Sequence, residues 1–245
     1  MSWNVLMGIL STLALFAPVA IIAIMRLYGH RSFIALLFYY LIAAVYNLMT
    51  ENFIQVDPDF AYFFGIVANL LDAPLILLFL MYFSPTAAYS RRILALIVLF
   101  LAYEITIVAI FNVTKIAVSY FAGPGIFLIL CVSMVFFLRQ VRVTIMHRRA
   151  TGKALMISSI LWAYGCFAVI YLIFYVLKEN NDTNSFFVYF IVSTVSSLLM
   201  SAGLIIEKNR IIKLWELKTT RKELSVIFGN NNKAARKRAA SMKKN

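Results

Sequence analysis

The chain has 245 residues, 63% of them hydrophobic, and a formal charge of +13. A mean hydropathy of +0.88 is more than a soluble core of this length could hide, and it places the chain among polytopic membrane proteins. The two cysteines, Cys131 and Cys166, both lie in apolar runs, which argues against a disulfide framework or a cysteine metal site and for two free thiols.

The first apolar run, Asn4–Met25, has no basic segment before it and continues for a full span, so it reads as a retained helix and not a cleaved signal. Six further runs are long enough to cross: Phe33–Phe53, Phe60–Phe83, Ile93–Val113, Ile116–Leu138, Ala154–Leu177 and Phe186–Ile206. Each is expected to be helical, because backbone groups without partners in hydrocarbon cost several kcal/mol and a helix satisfies its own. A transmembrane barrel would need alternating strands, and these runs do not alternate. The expected fold is therefore all-α, with seven transmembrane helices. Pro18, Pro74 and the Gly123-Pro124-Gly125 unit are expected to kink or loosen three of them.

The basic residues set the direction. With the N-terminus outside, 21 of the 23 Lys and Arg residues fall on the inner side, leaving only Lys115 and Lys178 outside. N-out, C-in is the orientation this bias predicts. The outer segments "QVDPDF" and "KENNDTN" are short, and Asn112 and Asn181 each begin a glycosylation-type triplet that also arises often by chance.

After the transmembrane region, residues 1–206, the segment 207–228 mixes Ile211, Leu214, Trp215 and Leu217 with Lys213, Lys218, Arg221 and Lys222. That mixture predicts an amphipathic helix on the membrane surface. Residues 229–245 are basic and nearly free of apolar side chains, which predicts a disordered inner tail. Its cluster Lys233, Arg236, Lys237 and Arg238 follows a span and reads as a topology anchor, so no nucleic-acid partner is expected.

Of ten carboxylates, only Asp72 and Glu104 lie deep within spans. At 1.5 Å per residue, Asp72 is roughly 18 Å from the outer end of its span and Glu104 about 16 Å from the inner end of its own. Both fall near the midplane and are expected to face inward, where they would form a shared polar centre. Gly65, Asn69 and Asp72 share one face of the third span, and Tyr40, Ala44, Asn47 and Glu51 one face of the second. Ser193, Ser197 and Ser201 form a small-residue face on the seventh, read as close packing or as hydroxyl coordination. Trp162, Tyr164 and Tyr171 on the sixth read as pocket walls or as plain packing. The candidate binding residues are thus Asp72, Glu104, Asn69, Asn47, Glu51, Ser193 and Ser197. Two readings stay open for the acids: a proton- or cation-binding pair, or neutral groups bonded between helices.

His30 and His147 are the only histidines, both in inner segments, and no nucleophile elbow, P-loop or dinucleotide fingerprint occurs. No catalytic residue is assigned, and an intramembrane enzyme acting on lipids is the least supported class.

Seven helices with N-out topology in this length resemble the microbial rhodopsins. "DAPLILLF" is similar to the third-helix segment of that family, "LWAYGCF" to its aromatic sixth-helix segment with Gly165 in place of a proline, and "SAGLIIEKNR" to the end of its seventh helix. The resemblance implies a retinal Schiff base on a seventh-helix lysine, but Phe186–Ile206 holds none and no other span has one at mid-depth. The family's acid one turn before Asp72 is replaced by Ala68, and its preceding arginine by Gly65. No covalent retinal and no other cofactor is expected.

The sequence predicts a non-catalytic plasma- or inner-membrane protein, either of receptor or sensor type or a membrane subunit serving a partner. The inner segment 139–153 and the basic tail are its candidate contact surfaces. The alternative is a proton- or cation-coupled transporter centred on Asp72 and Glu104.

Overall fold

The computed structural model describes residues 3–29, 31–51, 53–147, 151–173, 188–208 and single positions between 210 and 224. Side chains at 3–5, 115 and 147 are not among them. Among the described residues, seven helices are long and apolar enough to cross a membrane: α1 (Trp3–Ile24), α2 (Arg31–Thr50), α3 (Pro58–Leu80), α4 (Ala87–Phe111), α5 (Lys115–His147), α6 (Thr151–Tyr171) and α7 (Val188–Lys208). No strand occurs among the described residues.

Outward-facing side chains such as Leu13, Ile24, Leu99, Ile105 and Phe127 are large, apolar and well exposed. Water would penalise that surface heavily, whereas lipid accepts it. The chain is a polytopic integral membrane protein.

Helices adjacent in sequence pack together from α1 to α6, and α3 also packs on α5, so α3 occupies an inner position. Between α1 and α2 the contact is polar: the buried Asn47 Nδ2 donates to Thr12 Oγ1 at 3.0 Å. Between α6 and α7 it is close. Ser159 Oγ donates to the Ser196 carbonyl at 2.8 Å, and seven residues further along each helix Gly152 faces Gly203. The shared seven-residue spacing keeps small side chains on the seam through two helical turns.

At the end of the bundle where α2 begins and α3 ends, aromatic rings interlock. Phe33 contacts Phe79 and Tyr82 edge-on, with centroids at 5.9 and 4.9 Å, and Phe83 lies 5.4 Å from Phe79 and 6.3 Å from Phe136. Phe33, Phe79, Phe83 and Phe136 are all buried, and Lys153 Nζ lies 4.5 Å from the Tyr82 ring centroid. These rings form a plug across this end of the bundle.

Several helix ends differ from the sequence expectation. Helix α2 stops at Thr50 and not Phe53. Helix α4 begins at Ala87 and not Ile93, because Thr86 accepts the Tyr89 backbone N–H at 3.3 Å and caps it early. Helix α5 runs to His147, so most of 139–153 is not a loop but helix, carrying Arg139 and Arg142 beyond the apolar run. Arginine is a good helix former, and its long stem lets the charge leave lipid without breaking the backbone. Helix α6 starts at Thr151, three residues earlier than hydropathy indicates, so that only 148–150 separate it from α5. All three internal prolines, Pro18, Pro74 and Pro124, lie within continuous helices.

Asn112, which begins one of the glycosylation-type triplets, ends α4 at a φ of 55°. With ψ at −171° this is not the left-handed helical region that asparagine favours but a backbone seldom adopted outside glycine. Asn181 and the segment 178–184 lie outside the described residues.

From Lys208 onward the chain forms a separate unit. Its described residues, from Arg210 to Leu224, are helical and exposed, Leu217 and Leu224 included. Ile211, Leu214 and Trp215, and the tail 229–245 expected to be disordered, lie outside the described residues.

Candidate ligand cavity

A cavity of about 820 Å³ enters the bundle between the helices. Tyr62, Thr50, Val118, Tyr171 and Tyr189 line it near the end where α1 begins, which we call the N-terminal face. Ala73, Leu75, Phe100, Ile126 and Ala163 line it at mid-bundle. The aromatic rings of the plug are absent from its wall.

Asp72 and Glu104 both line this cavity, from α3 and α4 respectively. Asp72 Oδ1 accepts a hydrogen bond of 2.8 Å from the Tyr164 hydroxyl on α6, and the Tyr39 hydroxyl adjoins the same pair. Tyr164 is buried and Asp72 lines the cavity, so this bond ties α3 to α6 at the cavity wall. Glu104 differs: its side chain is fully buried, yet neither carboxyl oxygen has a hydrogen-bond partner. The two acids are near enough for their charges to interact, but no hydrogen bond links them.

Four other predicted residues also line the cavity. Asn69 points into it while its Nδ2 donates to the Gly65 carbonyl at 2.7 Å. Asn47 lines it from α2, with its amide turned toward Thr12. Ser193 and Ser197 line it from α7; Ser197 sits beside the Tyr40 hydroxyl, and its Oγ has no hydrogen-bond partner.

Glu51 is not on the wall. It lies just past the last residue of α2, and its carboxyl packs so tightly on Gly8 that a Cβ there would meet Oε2 at 2.6 Å. Of the three aromatics on α6, Tyr171 lines the cavity and Tyr164 stands behind Asp72, but Trp162 is 47% exposed and faces out of the bundle. Sequence reading did not pair Tyr164 with Asp72, since the two lie 92 positions apart.

Gly123 and Gly125 make room for this arrangement. A Cβ on Gly123 would meet the Tyr171 hydroxyl at 2.6 Å, and one on Gly125 would meet Phe100 at 3.1 Å. The Gly-Pro-Gly unit therefore serves the seating of neighbouring side chains within an unbroken helix.

Outside the spanning segments, desolvation holds the Glu51 carboxyl above the usual glutamate range. An acid with a raised folded-state pKa binds its proton more tightly folded than unfolded, so it favours the folded state most at low pH. That contribution should fall away as pH rises from about 4.3 through the raised folded value. Glu51→Gln should therefore unfold at a temperature that falls less steeply with pH than wild type over this window. Parallel pH–melting curves would show that Glu51 is not desolvated.

No group of three or more His, Cys, Asp or Glu residues poised for a metal occurs among the described residues. No protein-family model, curated protein or solved structure matches the chain.

Proposed function

We propose that this protein is a membrane receptor or sensor whose ligand occupies the cavity between the helices. The observation that carries this reading is a cavity of about 820 Å³ running from the N-terminal face to Asp72 and Glu104 at mid-bundle. Small-molecule sites are concave, largely apolar and oriented by a few polar groups, with volumes of about 300–1,000 Å³. This one combines aromatic walls with two acids, two asparagines and serines from α7. Helix α6 joins the cavity floor, through Tyr164, to the α6–α7 seam, so a ligand pressing on Asp72 acts on a packed helix pair. The helical extension of α5 at 139–147 offers a surface for a partner on the other face.

The second reading is a proton- or cation-coupled transporter, favoured by Glu104, a buried acid with no hydrogen-bond partner. Access separates the two. In protein with Cys131 and Cys166 replaced by alanine, Ala68→Cys and Ala122→Cys each place a thiol on the cavity wall. A membrane-impermeant thiol reagent should label them from the N-terminal face only, which the charge bias assigns to the outside. Labelling from both faces would favour the transporter, and labelling from neither would remove the cavity from both readings.

A further inference from the structure

Resting on the reading of the cavity as a ligand site, we propose that its occupant is an organic cation: a protonated amine carried on an aromatic or branched apolar body. The described wall contains two carboxyl side chains, Asp72 and Glu104, and no lysine, arginine or histidine. Asp72 has one donor, the Tyr164 hydroxyl at 2.8 Å. Glu104 has none: it is 0% exposed, its two oxygens lack hydrogen-bond partners, and it borders an 820 Å³ space. A buried carboxyl is stabilised by a cation or by donors, and the surrounding protein supplies neither to Glu104.

Size and wall chemistry narrow the occupant. A bare metal ion needs several converging oxygens at about 2.0–2.6 Å, and no group of three or more His, Cys, Asp or Glu residues poised to hold one is found among the described residues. An anion would meet two acids with no compensating charge on the wall. A neutral ligand would use Glu104 as a single donor and leave the second acid without a role. An ammonium group in the cavity would pair with Asp72 on α3, and Glu104 on α4 is near enough for its charge to add to that attraction. Tyr39, Tyr46, Phe100, Phe121 and Tyr189 give it aromatic faces, which attract cations and also bury an apolar body.

The test uses the full-length protein in lipid nanodiscs near pH 7 at fixed ionic strength, with three probes of similar shape. These are 2-phenylethylamine, neutral 2-phenylethanol and anionic 3-phenylpropanoate, with benzyltrimethylammonium as a second cation and sodium chloride alone as the inorganic control. Thermal unfolding and calorimetric titration should show saturable binding of at least one organic cation at one site per chain, with little effect of the other probes. Glu104→Gln should weaken that binding at least ~30-fold, as removal of one member of a buried charge pair does. Should Glu104→Gln fail to fold, the ranking of probes on the unsubstituted protein still decides.

Equal or tighter binding of the alcohol or the propanoate overturns the cation assignment while leaving a ligand cavity. Stabilisation by sodium chloride equal to that by the amines overturns it in favour of an inorganic ion. Failure of both organic cations to bind, in protein whose cavity cysteines label from one face, overturns the assignment and leaves the receptor reading standing.

Discussion

Gly203→Leu should destabilise the protein by about 3 kcal/mol, or prevent its accumulation as folded protein. A Cβ at this position would lie 2.7 Å from Met156 Cγ, 2.9 Å from the Gly152 carbonyl oxygen and 3.0 Å from the Met156 backbone nitrogen. Two of these neighbours are backbone, so no change of rotamer relieves them. The demand is for space and not for an unusual backbone, since no described glycine has positive φ. Gly152 meets the same seam from the other side, where a Cβ would lie 2.9 Å from the Glu207 nitrogen. Gly203→Ala should already cost about 1 kcal/mol. Adding Gly152→Ala should cost less than the sum, because helices parted for one methyl accommodate the second. Thermal unfolding in detergent measures all three. Wild-type stability of Gly203→Leu would mean that α6 and α7 do not approach this closely.

Asp72→Leu should cost about 2 kcal/mol, whereas Asp72→Asn should cost under ~0.5 kcal/mol. Leucine removes the acceptor of the Tyr164 hydroxyl, which then lies in a side chain only 1% exposed with the neighbouring Tyr39 as its one alternative. Asparagine keeps a carbonyl oxygen for that bond and removes only the ionisable group. The double change Asp72→Leu with Tyr164→Phe should recover part of the loss, because removing both partners leaves no stranded hydroxyl. If the double variant is less stable than the sum of the singles predicts, the bond does not exist as described. Asp72→Asn also separates architecture from recognition: it should melt like wild type and bind organic cations more weakly.

The seven spans were legible because a helix crossing hydrocarbon must be apolar for about 20 residues, and that length leaves its mark directly on the chain. The helix ends were less legible. Thr86 extends α4 backwards by a side-chain cap, and Arg139 and Arg142 extend α5 past the apolar stretch, both by local backbone chemistry to which hydropathy is blind. Asp72 and Glu104 stood out because ionisable groups are rare at mid-span. Their surroundings did not, since Tyr164 meets Asp72 only through the tertiary packing of α6 on α3. Glu51 followed the periodicity of Asn47, but it sits past the end of α2, where the carboxyl turns to Gly8 on α1. The close approach at Gly152 and Gly203 did carry a signal. Gly152 to Ser159 and Ser196 to Gly203 have the same spacing, and the pairing is plain once the two segments are set antiparallel.

The aromatic plug has an electrical consequence. Where water follows the cavity to Asp72, the layer left to insulate the protein is the remainder of the bundle beyond it, in which the rings of Phe33, Phe79, Phe83 and Phe136 are buried. A potential of 100 mV is worth about 2.3 kcal/mol per elementary charge across the whole drop, and the drop then falls mainly on this layer. A cation entering from the N-terminal face reaches the acids before meeting most of the voltage, so its occupancy is nearly independent of membrane potential. On the proposed reading the buried rings of Phe33, Phe79, Phe83 and Phe136 lie between such a cation and the opposite face, so its charge would be held at mid-membrane as on the plate of a capacitor.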